Sequence, residues 1–189
     1  GVMKFVHPDD ANRDEKEEYI RKKAEPAIRY AEILLIYAEA LNELTGNYNI
    51  ASWDEETQYT IQRNIDEMKK GIQPIRIRAG IPDYTRSEYE DQDLFREKLK
   101  RERQIELMGE GHRYYDIRRW KDAEVEESLP IYGCNTLMTE KWRDVFHVPV
   151  AIPSLPTNFS RKMYFWPISH SELKRNKMLT QNPGWTYND

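Results

Sequence analysis

The chain has 189 residues, of which 33% are charged and 39% hydrophobic, and it carries a formal net charge of −4. That length can bury a core in one or two domains, whereas no apolar run approaches the roughly 18 to 20 residues of a membrane-spanning helix. The negative charge also argues against nucleic-acid binding, because even the basic segment 98–104 is interleaved with glutamates and would not follow a phosphate backbone.

The start of the sequence and its cysteine content limit what can be expected of processing and metal binding. The chain begins at Gly1 with no basic and apolar leader, so we expect it to be the later part of a longer protein whose targeting segment and N-terminal part lie outside it. Cys134 is the only cysteine, so it can form no intrachain disulfide and offers no paired-cysteine spacing for a metal.

The first predicted helix lies near residues 14–45 and is apolar around most of its circumference. At about 100° per residue, one arc collects the apolar residues Ala27, Tyr30, Leu34, Tyr37, Ala38 and Leu41. Leu35 and Ile36 fall outside this arc, and the acidic residues form only a narrow strip on the opposite side. The pattern predicts a helix packed on two or more sides, as in a helical repeat array, that ends at Gly46.

A second helix is predicted near residues 55–70, after a loop or turn from Tyr48 to Tyr59. Ile61, Ile65 and Met68 follow helical spacing, and Pro74 is expected to break or restart the helix. Gly80 and Pro82 then form a stop signal. The order helix, loop, helix, stop is typical of one tetratricopeptide-like pair, although the sequence shows no internal period.

The third and fourth helices are predicted near residues 92–109 and 112–120, on either side of the Gly109/Gly111 break. Glu102 lies near the middle of the apolar arc of the third helix, and Glu106 lies at its margin. A buried charge needs a partner, and the nearest donors along the chain are Arg113, Arg118 and Arg119. We therefore expect these glutamates and arginines to form semi-buried ion pairs at the corner between the two helices. The alternative is that the third helix is less buried here and its charges are solvated.

The last third of the sequence loses its periodicity and is rich in proline. Only Ser169–Asn176 looks helical, and short strands are expected at Phe146–Val150 and Lys162–Trp166. The fold class is thus mainly α, with a tetratricopeptide-like helical part over residues 1–125 and an irregular segment over 126–189 that packs on the helices. We expect the two parts to form one structural unit.

The acidic and basic residues around the Gly109/Gly111 break could also be taken for a catalytic or metal site. His112 and Asp116 have helical spacing, but no HEXXH motif is present, and two carboxylates on one helix do not face each other across a cleft. We therefore predict no catalytic residue, no metal and no cofactor.

Aromatic residues offer a different kind of candidate site. Trp53, Tyr48 and Tyr59 lie in a polar segment with asparagine and aspartate, a mixture that suits stacking on sugar rings and hydrogen bonding to hydroxyls; Trp142 is a second candidate. The alternative is that each aromatic ring pins its loop onto the helices, because large aromatic residues are mostly buried.

Four segments in order resemble the SusD/RagB family of surface glycan-binding lipoproteins, and specifically its C-terminal part. The segments are RYAEILLIYAEALNE (29–43), IRIRAGIP (75–82), ERQIELMGEGHRYYDIRRW (102–120) and FWPISHSELKRNKMLTQNPGW (165–185). The resemblance implies a non-enzymatic outer-membrane lipoprotein at the cell surface, anchored through an N-terminal cysteine that this chain does not contain. It further implies glycan capture and delivery to a SusC-like TonB-dependent transporter. The rival reading is a helical scaffold for protein–protein interaction or peptide uptake.

Overall fold

The computed structural model describes residue 4 and residues 26–135, 146–154 and 157–186. The chain divides into two compact units, Gly1–Met108 and Gly109–Asp189. The mainly α fold expected from the sequence is confirmed, since helices dominate both units and the strands are short. Within the described part of the chain, no helix is both long and apolar enough to cross a membrane. The division into 1–125 and 126–189 as one structural unit stays a prediction.

Among its described residues, the first unit contains four helices and one hairpin. In chain order these are α1 (Tyr30–Asn42), β1 (Tyr48–Ala51), β2 (Gln58–Ile61), α2 (Ile65–Arg78), α3 (Arg86–Glu90) and α4 (Gln92–Glu106). Local capping explains several boundaries: Asn64 accepts a hydrogen bond from the Glu67 amide at the start of α2, and Asp91 accepts two from the first turn of α4. Gly80, with φ of +71°, follows the end of α2.

One hydrophobic core lies where α1 packs on α2 and α4. Its fully buried large side chains include Leu35, Met68, Ile72, Tyr89 and Phe95. The opposite face of α1 is open among the described residues, since Ile33, Ile36 and Tyr37 are 40% to 49% exposed. Within the described chain, α1 therefore packs against two helices and leaves this third face open.

The helix expected near 14–45 covers Tyr30–Asn42 in the structure; residues 26–29 are described and are not helical, and residues 5–25 lie outside the described part. The helix expected near 55–70 is wrong in position. Residues 58–61 pair with 48–51 as an antiparallel hairpin, and the helix begins at Ile65 and ends at Arg78. Hairpin pairing satisfies the backbone of the QYTI stretch, whose β-branched and aromatic residues favour a strand.

Pro74 does not break the second helix, contrary to expectation, but lies inside it. Proline removes one backbone donor from the helical ladder. Ile72 and Ile75, on either side of it, are 0% and 3% exposed in the core. Burial of these neighbours stabilises the helical path across the missing hydrogen bond, and the sequence pattern alone did not reveal it.

The second unit contains shorter elements. These are α5 (His112–Arg119), α6 (Ala123–Glu126), β3 (Tyr132–Gly133), β4 (Val150–Ala151), a 3₁₀ helix (Arg161–Tyr164) and α7 (His170–Arg175). Ile117, Ala123 and Phe159 form its small core, with Tyr164 packed against them. The helix expected at Ser169–Asn176 matches α7, whereas the strand expected at Lys162–Trp166 is instead largely the 3₁₀ helix.

Candidate functional site

The hairpin β1–β2 gathers aromatic and aliphatic side chains on one face. Residues directly opposite each other in an antiparallel pair share a face, and the register places Tyr48 opposite Ile61 and Ile50 opposite Tyr59. Tyr48, Ile50 and Tyr59 are 45%, 46% and 52% exposed. The structure therefore brings together the two tyrosines selected from the sequence on one accessible apolar face.

Trp53 lies in the turn of this hairpin and is 96% exposed. The turn itself is held by hydrogen bonds: the Ser52 amide donates to the Thr57 carbonyl at 2.7 Å, and the Thr57 amide donates to Ser52 Oγ at 3.0 Å. The Asp54 carboxylate accepts from the Ser52 hydroxyl and from the Glu56 amide. A tryptophan that pinned the loop to the helices would be buried, so Trp53 does not do this among the described residues.

The base of the hairpin is tied to the helices by a buried polar network. Arg63, two residues after β2, donates to Asn42 Oδ1 from Nε at 3.1 Å and from Nη2 at 3.0 Å. Asn42 is 0% exposed and also donates to the Gln92 carbonyl at 3.1 Å. Burial lowers the pKa of Arg63 below its ordinary value. The network fixes the hairpin on the helical core, and no local sequence pattern predicts it because Asn42, Arg63 and Gln92 are far apart along the chain.

Glu102 is the centre of a second buried network. It is 5% exposed, and it accepts from Arg76 Nη1 at 2.6 Å and from the Tyr84 hydroxyl at 2.9 Å. The Arg76 guanidinium also lies 3.9 Å from the centroid of the Tyr84 ring. The pKa of the Tyr84 hydroxyl is raised well above its ordinary value, mainly by burial and next by the hydrogen bond to Glu102.

Glu106 joins two arginines from different segments. Arg29 Nη1 donates to its Oε1 at 2.8 Å, and Arg78 Nη2 donates to its Oε2 at 2.5 Å. Burial alone would raise the pKa of Glu106, but the hydrogen bonds from Arg78 and Arg29 outweigh burial and hold the pKa below its ordinary value. The charge on Glu106 is therefore compensated inside the helical unit.

The match that decides the family covers nearly the whole chain: the model of the SusD family, SusD/RagB, matches residues 1–185. The chain belongs to the SusD family. It is 31% identical over 162 residues to SusD-like protein P2 of Formosa agariphila, and the alignment covers 84% of the chain and 25% of that protein. A SusD-like protein from Bacteroides fragilis NCTC 9343 has a similar fold, with a TM-score of 0.61 at 29% identity over 84% of the chain and 25% of that structure. The chain thus spans about a quarter of the length of these relatives.

The SusD-family segment 102–120 folds as the end of α4, a turn, and α5, but its arginines have other partners than expected. Arg113 pairs with Glu126, and Arg118 makes a two-pronged pair with Glu127 at 3.1 Å. Arg119 Nε donates to Asp116 at 2.9 Å, one turn away on the same helix. The expected pairing of Glu102 or Glu106 with Arg113, Arg118 or Arg119 is therefore corrected, because α5, α6 and the end of α6 supply nearer carboxylates.

The arginines that do bind the two glutamates of this SusD-family segment lie on α2 and just before α1. Arg76 and Arg78 belong to the IRIRAGIP segment, but the predicted break at Pro74 places them outside the second helix. Trp142, the fourth ligand-binding candidate, lies outside the described residues. Among the residues that the structure does describe, no cluster of histidine, cysteine, aspartate and glutamate could hold a metal ion.

The cap of α3 predicts a pH-dependent contribution to stability. Glu88 accepts from the Thr85 amide at 2.7 Å and pairs with Lys98 at 2.9 Å. The hydrogen bond from Lys98, followed by those from Thr85, lowers the pKa of Glu88 from 4.5 to about 2. Because the folded-state pKa is the lower one, the stabilisation is fully present above about pH 4.5 and is lost as the pH falls toward about 2.

We therefore expect the difference in unfolding free energy between the wild type and Glu88→Gln to be constant at neutral pH and to shrink over that acidic window. Urea titrations monitored by circular dichroism at a series of pH values measure it. Adding Lys98→Met to Glu88→Gln should not change the pH dependence of the unfolding free energy any further. A difference that stays the same down to the acid end of the window contradicts the expectation.

Proposed function

We propose that the protein binds oligosaccharide or polysaccharide at the bacterial cell surface without chemically altering it. Membership of the SusD family supports a surface glycan-binding role. Within the chain, the observation that carries the proposal is Trp53, which is 96% exposed on a turn braced by hydrogen bonds. A flat, accessible indole whose backbone is already ordered can stack on a sugar ring at little further cost in conformational entropy.

The neighbouring hairpin chemistry suits the same ligand. Tyr48 and Tyr59 add two half-exposed phenol rings, and each carries a hydroxyl that can hydrogen-bond to a sugar. The Tyr48 hydroxyl lies 3.1 Å from Thr45 Oγ1, which orients it. These three aromatic residues, with Trp142, are the ligand-binding residues that we propose.

We further propose that the captured glycan passes to a SusC-like TonB-dependent transporter for nutrient uptake. The intact protein would be a lipoprotein of the outer membrane, held through a cysteine at its N-terminus. Its N-terminal part would be a further partner of this chain, for which the open apolar face of α1 at Ile33, Ile36 and Tyr37 is a suitable contact. Affinity gels of the intact protein should show retardation by its polysaccharide and no hydrolysis; turnover of the glycan would contradict a purely binding role.

Replacing Trp53 by alanine should weaken glycan binding by about tenfold or more, as the loss of a central aromatic contact does in other interfaces. The unfolding free energy should change by less than about 0.5 kcal/mol, because the side chain is almost fully exposed. Isothermal titration calorimetry of the intact protein measures the first effect and urea unfolding the second.

Trp166→Ala is the matched control, since Trp166 is 78% exposed but lies in the other unit. It should leave the glycan affinity unchanged. Equal losses in both variants, or none in Trp53→Ala, would count against the hairpin as the binding surface.

The rival function is a helical scaffold for protein–protein interaction or for peptide uptake. The exposed apolar face of α1 is the observation that favours it. A glycan array and a peptide library, both probed with the intact protein, separate the two functions: selective peptide capture without glycan capture would favour the scaffold.

A further inference from the structure

The second unit contains a cavity, whereas the aromatic hairpin belongs to the first unit. It has a volume of about 530 Å³ and is open to solvent, since the lining residues Leu129 and Ile131 are 57% and 40% exposed. Three segments frame it: the α5–α6 corner, residues 129–131 and residues 157–163. Two hydrogen bonds hold the second segment in place, from Thr157 Oγ1 to the Leu129 carbonyl at 2.7 Å and from the Ile152 amide to the Ile131 carbonyl at 2.8 Å.

The charged side chains that line this cavity are already held in place by hydrogen bonds and ion pairs within the protein. Arg118 Nη1 donates to Glu127 Oε1 at 3.1 Å and to the Tyr114 carbonyl at 2.9 Å, while Nη2 donates to Glu127 Oε2 at 3.1 Å. Its guanidinium lies 3.5 Å from the centroid of the Tyr114 ring. Glu126, the other carboxylate at the cavity, pairs with Arg113. Both carboxylates are thus neutralised in pairs, yet keep free lone pairs as acceptors.

The remaining lining supplies an unused amide and apolar surface. Asn158 is exposed at the cavity, and in the part of the chain that the structure describes its side chain makes no hydrogen bond. Arg118 Nη2 makes only one hydrogen bond there, so it retains a second N–H. Leu129 and Met163 provide apolar contact. Donors, acceptors and apolar surface therefore converge on one space.

We propose that this cavity is a binding site for an uncharged, hydroxylated ring, a neutral mono- or disaccharide. An anion would face the carboxylates of Glu126 and Glu127, and a cation would have to compete with the arginines that already hold them. A neutral sugar carries no charge that these carboxylates or arginines would oppose. Its hydroxyls can hydrogen-bond to Asn158 and to the carboxylates, and its C–H faces can pack on Leu129 and Met163. The lining excludes charged ligands, and the choice of a sugar among neutral ligands rests on the glycan-binding function proposed above.

The methyl group of Met163 offers a direct test. The intact protein, labelled with ¹³C at the methionine methyl groups, is titrated with glucose, galactose, mannose, xylose and their disaccharides, and with glucuronate and glucosamine as charged counterparts. The Met163 signal should shift and saturate with at least one neutral sugar and with neither charged one. Met178, 89% exposed in the same unit and not part of the cavity, should not shift.

Three variants separate this site from the hairpin. Asn158→Leu removes hydrogen bonding at similar size and should weaken the response by about fivefold to tenfold. Leu129→Trp, at a side chain that is 57% exposed, should fill the cavity and abolish the response. Trp53→Ala should leave the Met163 response unchanged, even though it weakens binding at the hairpin. No shift with any neutral sugar, a shift only with a charged one, or a shift that survives both cavity variants overturns the proposal, and none of these outcomes bears on the hairpin.

Discussion

Replacing Glu102 by alanine should lower the free energy of unfolding by about 3 kcal/mol, the low end of the loss seen when one partner of a buried ion pair is removed. The substitution leaves the Arg76 guanidinium, whose side chain is only 14% exposed, without its carboxylate. It also takes the acceptor from the buried Tyr84 hydroxyl. Arg76 keeps its bond to the Pro82 carbonyl at 2.7 Å, which moderates the loss. Urea unfolding of the intact protein, followed by circular dichroism, measures the effect.

A control on the same helix separates burial from charge. Glu97 pairs with Lys100 one turn away, and its side chain is 69% exposed. Glu97→Ala should therefore cost less than about 0.5 kcal/mol. If Glu102→Ala were no more damaging than Glu97→Ala, the buried pair would not stabilise the fold.

The double variant Arg76→Leu/Glu102→Leu tests the source of the loss. It should recover part of the stability that Glu102→Ala loses, because the cost comes from leaving a buried charge unpaired and not from the absence of the pair. A double variant less stable than either single variant would show instead that the pair itself contributes the stability.

Replacing Gly71 by alanine should destabilise the fold by about 2 kcal/mol, the usual scale of overpacking in a close-packed core. In an ordinary helix interior, glycine to alanine stabilises by roughly 0.5–1 kcal/mol. Here α2 lies so close to α1 that a β-carbon at position 71 would overlap the Leu34 carbonyl oxygen and lie 2.8 Å from Cβ of Ala38. Backbone atoms of α1 cannot rotate away, so the helices must separate. Urea unfolding again measures the change.

Gly46→Ala is the matched control for the same chemical change. A β-carbon there would meet nothing within 4 Å, so the unfolding free energy should stay within about 0.5 kcal/mol of the wild type. A stabilising Gly71→Ala would contradict the close contact of α1 and α2.

The family, the mainly α fold class and a few local boundaries could be predicted because they depend on neighbouring residues. Asp91 caps α4, and a cap of this kind needs only a side-chain acceptor within the first turn of the helix. Gly80 and Pro82 mark the end of α2 for the same local reason. Placing Tyr48, Trp53 and Tyr59 in one candidate group also needed only their closeness along the chain.

The choice of partners depended on packing between distant segments. In the sequence, Glu102 is a charged residue within an apolar arc, and three arginines follow it closely. The folded chain instead packs α1 against both α2 and α4 and pairs Glu102 with Arg76 of α2, 26 residues away along the chain. Burial of Ile72 and Ile75 kept α2 helical across Pro74, and strand pairing converted residues 58–61 from helix to hairpin.

The sequence by itself therefore determined the family, the predominance of helices and the caps, since each is encoded in a few adjacent residues. Only the tertiary structure decided that Trp53 is exposed, which arginines neutralise the two glutamates, and that a cavity forms beside Arg118. Exposure, ion-pair partners and cavities are set by the surfaces that come together when the chain folds, and residues far apart along the chain contribute those surfaces.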